Sequence, residues 1–276
     1  MIKEYINYLL HIRGYSENTA TAYEKDLRAF VNWVKSNRPG KGWSSITISD
    51  VDAYITAQAV KGLKASSTNR QLAAISGIYN YMQRNGHNVV NPCKYESRRK
   101  RGETVPNTIP AEDLQQAYDN ANGVAKVILG LLCTTGIRIQ ELLDLTWQSI
   151  NFSTGAIKIQ GKGSKERLVY TTLDKLETLQ AVSKLPGHND AERIFTLDQR
   201  TVRKMIFAAL VPYSKAKQLS PHAIRHSFAT QAAAQGYNVA TLSKVLGHKH
   251  FETTQQYIDL GSTQTKDLCQ NGLLIR

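Results

Sequence analysis

Apolar residues recur every three or four positions over most of the chain, which is the spacing of amphipathic helices. Ser16 suits the N-cap position of one such helix, and another opens at Ser66 or Ser67 and closes at Gly86. We interpret the aromatic and methionine positions of these stripes as core. In the N-terminal third the pattern predicts four helices, over residues 2–12, 16–37, 48–61 and 66–86.

The periodicity stops in residues 91–110. This segment contains three prolines and the basic run Arg98–Arg101, a composition typical of an extended linker. It predicts a helical domain over residues 1–90 and a second domain over residues 111–276.

The second domain begins as helix and then changes period. Residues 111–147 predict two or three helices, the last running from about Gly136 to Leu145. Residues 150–172 alternate polar and apolar positions around GKGSK, which predicts two or three antiparallel strands joined by a hairpin turn. Helical spacing resumes at Leu173. The predicted fold class is mainly α, with a helical N-terminal domain and a mostly helical second domain that contains a small antiparallel β-sheet.

Composition favours a globular protein with a polyanionic partner. Apolar residues make up 41% of the 276 residues, enough for real cores, and the formal net charge is +13. An excess of this size, shared by both halves, is typical of nucleic-acid binding, although a merely basic surface is the alternative. Three scattered cysteines without a CxxC pair predict neither disulfides nor a zinc site, and no apolar stretch approaches membrane-spanning length. We expect a cytoplasmic, nucleoid-associated protein with no membrane contact.

Polar residues interrupt the apolar pattern of the second domain at a few places. Ser220 and Pro221 predict a helix start, and His222 and Arg225 then share one face beside the free N–H groups of the first turn. Such a face attracts an anion. The alternative is a core helix in which the arginine finds a carboxylate and the histidine a backbone carbonyl. The other outliers, each with its own structural explanation, are Arg138 with Glu141, Lys162, His248 and Tyr257.

In order and spacing, these residues resemble the motifs of the tyrosine recombinases, which include phage integrases and Xer-type resolvases. The matching stretches are TGIRIQEL around Arg138, GKGSKER around Lys162, HAIRHSFAT from His222, LGH ending at His248 and TTQQY ending at Tyr257. The resemblance covers essentially the whole chain. It implies a SAM-like core-binding domain and a catalytic domain that together clamp DNA. Because the core-binding pattern begins within the first residues, we expect no arm-binding module.

The chemistry of DNA cleavage assigns roles to these side chains. The reaction requires neutralisation of the phosphate oxygens, an in-line nucleophile and a proton for the leaving oxygen. Arg138 and Arg225 suit the neutralisation of the phosphate oxygens, because each guanidinium can donate two hydrogen bonds to a phosphate. Tyr257 suits the role of the nucleophile, as the attacking phenol. The resemblance implies the other roles: Lys162 as general acid, His222 and His248 as phosphate hydrogen-bond donors, Glu141 as an orienting residue and His226 as a supporting one.

No cofactor and no metal are expected, since the sequence has no acidic cluster that would hold a metal ion. The expected partner is a double-stranded DNA recombination site, bound by a dimer of the chain and paired in a tetramer, with a partner recombinase or accessory protein possible. Basic side chains predicted to contact DNA, each with a solvated-surface alternative, are Lys64, Arg70, Arg99, Arg101, Lys165, Arg167, Arg200, Arg203 and Lys204.

Two other functions remain open at this stage. One is a nicking-closing enzyme similar to type IB topoisomerases, and the other is an architectural DNA-binding protein on a recombinase scaffold, which the intact Tyr257 disfavours. The tail after Ser262 ends in an apolar cluster that includes Leu274 and Ile275. We expect this tail to dock on a neighbouring protomer, with folding back onto its own domain as the alternative.

Overall fold

A computed structural model describes residues 1–94, 107–161, 166–183 and 193–247, together with residue 275. The chain divides into two compact units, Met1–Thr104 and Val105–Arg276. The predicted fold class is confirmed: the described residues are mostly helical and include one small antiparallel sheet.

The first unit is built from the four predicted helices. The Ser16 hydroxyl accepts a hydrogen bond from the Thr19 amide, which confirms the predicted N-cap. The fourth helix begins slightly earlier than expected, with Lys64 at its N-cap. The four helices of the first unit are α1 (Ile2–His11), α2 (Glu17–Asn37), α3 (Ile48–Val60) and α4 (Ala65–Arg84).

The aromatic stripes of the first unit form its core, as predicted. Phe30 of α2, Tyr54 of α3 and Tyr79 of α4 are fully buried. The rings of Phe30 and Tyr54 meet edge to face with their centroids 5.1 Å apart, a favourable arrangement for aromatic pairs.

The second unit begins with helices α5 (Ala111–Asn120), α6 (Gly123–Thr135) and α7 (Ile139–Leu143), followed by a 3₁₀ turn at Trp147–Ser149. The sheet has the order β1-β2-β3, and all its pairs are antiparallel. Its strands are β1 (Ile150–Asn151), β2 (Ala156–Gln160) and β3 (Glu166–Tyr170). Among the described residues, the helices that follow the sheet are α8 (Leu173–Ser183), α9 (Gln199–Leu210), α10 (Pro221–Ala234) and α11 (Val239–Leu246).

Helix α6 is the centre of the second unit. Its residues from Val127 to Thr135 are all buried, which is expected of a helix that is apolar on every side. It packs against α8, α9 and α10, so these three helices share one buried support. No helix in the described ranges is both long and apolar enough to cross a bilayer.

The helix predicted over Gly136–Leu145 is shorter than expected. Gly136 adopts a left-handed conformation with φ +61° and ends α6, and α7 begins only at Ile139. Arg138 therefore lies at the N-cap of α7 and not one residue inside a helix, as the apolar pattern suggested. This position leaves its side chain free to reach beyond its own helix.

The C-terminal tail is described at a single position. Ile275 is 1% exposed and belongs to the core cluster of the second unit of the same chain. For this residue the structure shows the alternative to our expectation, namely folding back. The rest of the predicted docking segment, including Leu274, lies outside the described residues.

Candidate functional site

The start of α10 has the predicted architecture. The Ser220 hydroxyl accepts a hydrogen bond of 3.2 Å from the Ala223 amide, and Pro221 is the first helical residue. Ala223 is buried, whereas the neighbouring His222 is exposed. The capped first turn therefore exposes the imidazole of His222, while buried Ala223 packs the helix against the rest of the unit.

Arg225 connects three segments of the second unit. Its side chain is only 5% exposed, yet one terminal nitrogen donates to the Gly136 carbonyl at 2.7 Å and the other to the Leu246 carbonyl at 2.6 Å. The first acceptor ends α6 and the second ends α11. The buried guanidinium thus fixes the start of α10 relative to the Arg138 turn and the end of α11.

Arg138 lies at the rim of the same region. One terminal nitrogen donates to Glu141 at 2.9 Å, and the other donates to the Gly247 carbonyl at 3.2 Å. The side chain is 43% exposed, so part of the guanidinium remains open to solvent. Arg138 can therefore offer donors to an incoming group without breaking the fold.

Glu141 is the buried acid of the cluster. Burial favours the neutral carboxyl and would raise its pKa, but hydrogen bonds and charge from Arg167, the backbone N–H of Arg138 and the Arg138 charge outweigh burial and lower it. Its carboxylate also accepts the Arg138 backbone N–H at 2.8 Å. Glu141 therefore stays ionised and is bound to both the side chain and the backbone of Arg138, while its supporting role stays a prediction.

Arg167 lies inside this cluster, although we expected it among the DNA contacts. Its side chain is 13% exposed. Two terminal nitrogens donate to the two Glu141 oxygens at 3.0 and 2.7 Å, and Nε donates to the Val245 carbonyl at 2.7 Å. In this structure its donors are therefore engaged within the protein, and the DNA contact stays a prediction.

The end of α11 is consequently held by three arginines. The carbonyls of Val245, Leu246 and Gly247 accept in turn from Arg167, Arg225 and Arg138. The last carbonyls of a helix have no intrahelical partners, and cations are favoured at that end. Gly247 closes the helix with φ +63°, immediately before the predicted site residue His248. Sequence reasoning did not find this arrangement, because backbone acceptors leave no mark in the sequence.

The two histidines of α10 form a pair. The rings of His222 and His226 meet edge to face with their centroids 4.3 Å apart. Partial removal from water, followed by the charges of Arg225 and Arg138, lowers the pKa of His222, so these three groups share one electrostatic environment. Burial, the neighbouring His222 and Arg225 lower the pKa of His226 to about 4. Both rings are thus held mainly neutral near pH 7.

Four of the predicted catalytic and supporting residues therefore lie close together, namely Arg138, Glu141, His222 and Arg225, and Arg167 lies beside them. Six others lie outside the described residues, namely Lys162, Lys165, His248, Tyr257, Arg99 and Arg101. In the described ranges no group of three or more His, Cys, Asp or Glu side chains is arranged to hold a metal ion.

The remaining predicted DNA contacts lie on two surfaces. Arg200, Arg203 and Lys204 are exposed on α9, and Lys64 is exposed at the start of α4. Arg70 differs from these, since its guanidinium is bound by both oxygens of buried Asp26 at 2.7 and 3.1 Å. We interpret that ion pair as a link between α2 and α4 that leaves Arg70 partly exposed.

Comparison with known proteins gives the class. A profile of the phage integrase family matches residues 107–263, and one of the phage integrase N-terminal SAM-like domain matches residues 2–86. The chain belongs to the phage integrase family, and it is a site-specific tyrosine recombinase, an enzyme that cleaves and rejoins DNA.

Individual proteins agree with this assignment. Tyrosine recombinase XerC of Xylella fastidiosa (strain M23) is 27% identical over 94% of this chain and 92% of its own. Among solved structures, the XerH recombinase bound to a palindromic difH substrate, in a post-cleavage complex, has a TM-score of 0.75 at 19% identity, covering 93% of this chain and 80% of that one. A lambda integrase (75–356) dimer bound to a COC′ core site has a TM-score of 0.71 at 20% identity, covering 96% of each chain. At these identities the structures share the fold.

Proposed function

We propose that the chain cleaves DNA through a 3′-phosphotyrosine formed by Tyr257, at short core sites and without arm-site binding. The observation that carries this proposal is that Arg138 and Arg225 both donate to carbonyls at the end of α11, and that His222 lies close enough to feel the charge of both. Arg138 and His222 are exposed there, and Glu141 is already engaged by Arg138 and Arg167. A cationic surface with its carboxylate occupied favours a phosphate.

Each side chain has a distinct task in the proposed mechanism. Arg138 places its donors on a non-bridging phosphate oxygen, and His222, which is kept neutral, donates one hydrogen bond to the same group. Buried Arg225 contributes positive charge from behind and holds the backbone on which both depend. These groups neutralise the charge that accumulates as the phosphorus is attacked.

The covalent step needs no external energy source. The Tyr257 oxygen attacks the phosphorus and gives up its phenol proton to solvent, the bond to the 5′ oxygen breaks, and Lys162 donates a proton to that oxygen. The phosphodiester energy is kept in the tyrosine ester. A 5′ hydroxyl of a second strand then attacks this ester and releases Tyr257, so bonds broken and formed balance without ATP.

We also propose that the chain acts as a dimer on each DNA site and as a tetramer when two sites pair. The basic surface of α9 and the start of α4 would contact the duplex, and the net charge of +13 supports a polyanionic partner. The fold shared with a lambda integrase dimer on a core site supports the same arrangement. Such an enzyme would work in the cytoplasm on nucleoid DNA.

A covalent selection tests this function and identifies the DNA site in the same experiment. The purified chain is incubated with a pool of nicked duplexes that carry a randomised core, and DNA that survives denaturing washes on the protein is sequenced. We expect enrichment of one inverted-repeat site. The selected duplex is then tested for strand exchange between two copies and, on a plasmid, for relaxation. Relaxation without exchange would favour the topoisomerase-like activity instead.

A further inference from the structure

We propose that Arg167 is a positioning residue for the proposed phosphate-binding site of the protein. It orients Arg138 through the carboxylate of Glu141, and it fixes the end of α11 through the Val245 carbonyl. This inference rests on the proposed function, because it assigns Arg138 to the phosphate. It does not require Arg167 to touch DNA.

The strand that carries Arg167 directs it inward. Residues two apart on a strand share a face, and Val169, two positions further along β3, is fully buried. Leu168, between them, is 53% exposed. Arg167 thus points towards the core face although it is charged, and the buried Glu141 compensates that charge.

Glu141 is shared between the two arginines. Its Oε1 accepts from Arg138 at 2.9 Å and from Arg167 at 3.0 Å, while Oε2 accepts from Arg167 at 2.7 Å. A buried carboxylate that loses one cationic partner binds the remaining one more strongly, since an unpaired buried charge is costly. Without Arg167, Glu141 would therefore draw the Arg138 guanidinium inward and away from a phosphate.

Arg167 also packs against the last residue before His248. Its Nε donates to the Val245 carbonyl at 2.7 Å, and a Cβ built on Gly247 would lie only 2.9 Å from its guanidinium nitrogen. Any larger residue at position 247 would therefore displace Arg167. The absence of a side chain at Gly247 is what lets the guanidinium lie across the end of α11.

One side chain thus ties together three segments that the family motifs identify separately. Arg167 is the second residue of β3 and follows the GKGSK motif by two positions; Glu141 belongs to α7; and Val245 belongs to α11. A positioning role predicts that replacing Arg167 slows the covalent step and leaves affinity for DNA unchanged.

A double-mutant cycle tests this role on the nicked duplex obtained from the covalent selection. Arg167→Met is compared with wild type and, separately, in an Arg138→Ala background, by single-turnover adduct formation and by equilibrium binding over a range of salt concentrations. Lys158→Met is the matched control, because Lys158 pairs with Glu166 on the exposed side of the same sheet at 2.9 Å. Arg167→Lys, which keeps the charge, replaces Arg167→Met if that variant does not fold.

We expect Arg167→Met to slow adduct formation by about 30-fold, with Kd within about threefold of wild type. In the Arg138→Ala background the loss should shrink at least about fivefold, because residues that act through one another are not additive. Equal losses in both backgrounds would overturn the inference. So would weaker binding with a shallower salt slope, which would make Arg167 a DNA contact. If wild type itself forms no adduct, the proposed function fails as well, an outcome distinct from a defect limited to Arg167.

Discussion

The Arg225 guanidinium donates a 2.7 Å hydrogen bond to the carbonyl of Gly136. The two residues are far apart in sequence, and Gly136 lies two positions before Arg138. This contact sets the distance between α10, which carries His222, and the turn that carries Arg138. The geometry of the proposed phosphate site therefore depends on a backbone conformation at one glycine.

Gly136→Ala should destabilise the second unit strongly. Gly136 has φ +61°, and a Cβ there would lie 2.5 Å from the Phe228 ring. Gly14 has nearly the same φ, +62°, but open space around it, so Gly14→Ala is a matched control for the conformational cost alone. We expect about 1 kcal/mol for Gly14→Ala and about 3 kcal/mol or more for Gly136→Ala, measured by urea unfolding. Equal losses in the free energy of unfolding would mean that the close approach to the Phe228 ring does not contribute to the effect.

Lysine should not replace either phosphate-site arginine. A lysine ammonium cannot reach both the Gly136 and Leu246 carbonyls as Arg225 does, nor both Glu141 and Gly247 as Arg138 does. We expect Arg138→Lys and Arg225→Lys each to slow adduct formation by about 100-fold or more.

The control is Arg28→Lys on α2, where an exposed arginine pairs with Glu24 one turn earlier. It should form the adduct at the wild-type rate. Retention of normal rates by the two site variants would show that charge alone is sufficient there.

Acid should destabilise the fold partly through His226. The pKa of His226 is about 4 in the folded chain, below the ordinary value of 6.5, because of burial and the neighbouring His222 and Arg225. Between these values the unfolded chain binds the proton and the folded chain does not, so stability falls as the pH is lowered from about 6.5 to about 4. Removing this titration with His226→Gln should make Tm less dependent on pH over that range.

His11→Gln, at an exposed histidine of α1, is the control and should leave the slope of Tm against pH as in wild type. If His226→Gln keeps the full wild-type slope, His226 is not the group that couples acid to unfolding.

DNA binding should weaken steeply with salt. If about 8 phosphates are neutralised per protomer, the slope of log K against log salt is roughly −7. Removing one of the proposed DNA contacts on α9 by Arg203→Ala should reduce the magnitude of the slope by about 1 and weaken binding to all duplexes about equally. Arg28→Ala serves as the control. A slope near zero would contradict the inference, drawn from the net charge, that the chain binds a polyanion.

The helix pattern and the capped start of α10 follow from the sequence, because periodicity and the Ser220–Pro221 pair are local features. The position of Arg138 at the N-cap of α7 does not follow from the sequence, since it depends on where the left-handed Gly136 ends α6. Ile137 and Ile139 continue the apolar pattern across that break and conceal it.

Arg167 has surroundings that its charge alone did not suggest. Its charge favoured a DNA contact, but its position two residues before the apolar Val169 already placed it on the buried face of β3. The partner that makes this burial possible, Glu141, lies on another element, and its carboxylate is shared in three dimensions only. The carbonyls of α11 that three arginines bind are backbone groups, which no sequence pattern records.

The covalent bond to Tyr257 is the most direct test of the account. The selected nicked duplex is incubated with wild type and with Tyr257→Phe in the presence of EDTA, and the protein is digested and analysed by mass spectrometry. We predict that wild type carries a nucleotide on the Tyr257 peptide and leaves a free 5′ hydroxyl on the DNA, whereas Tyr257→Phe binds the duplex and forms no adduct. An adduct that persists in Tyr257→Phe, or cleavage that requires added magnesium, would contradict the account.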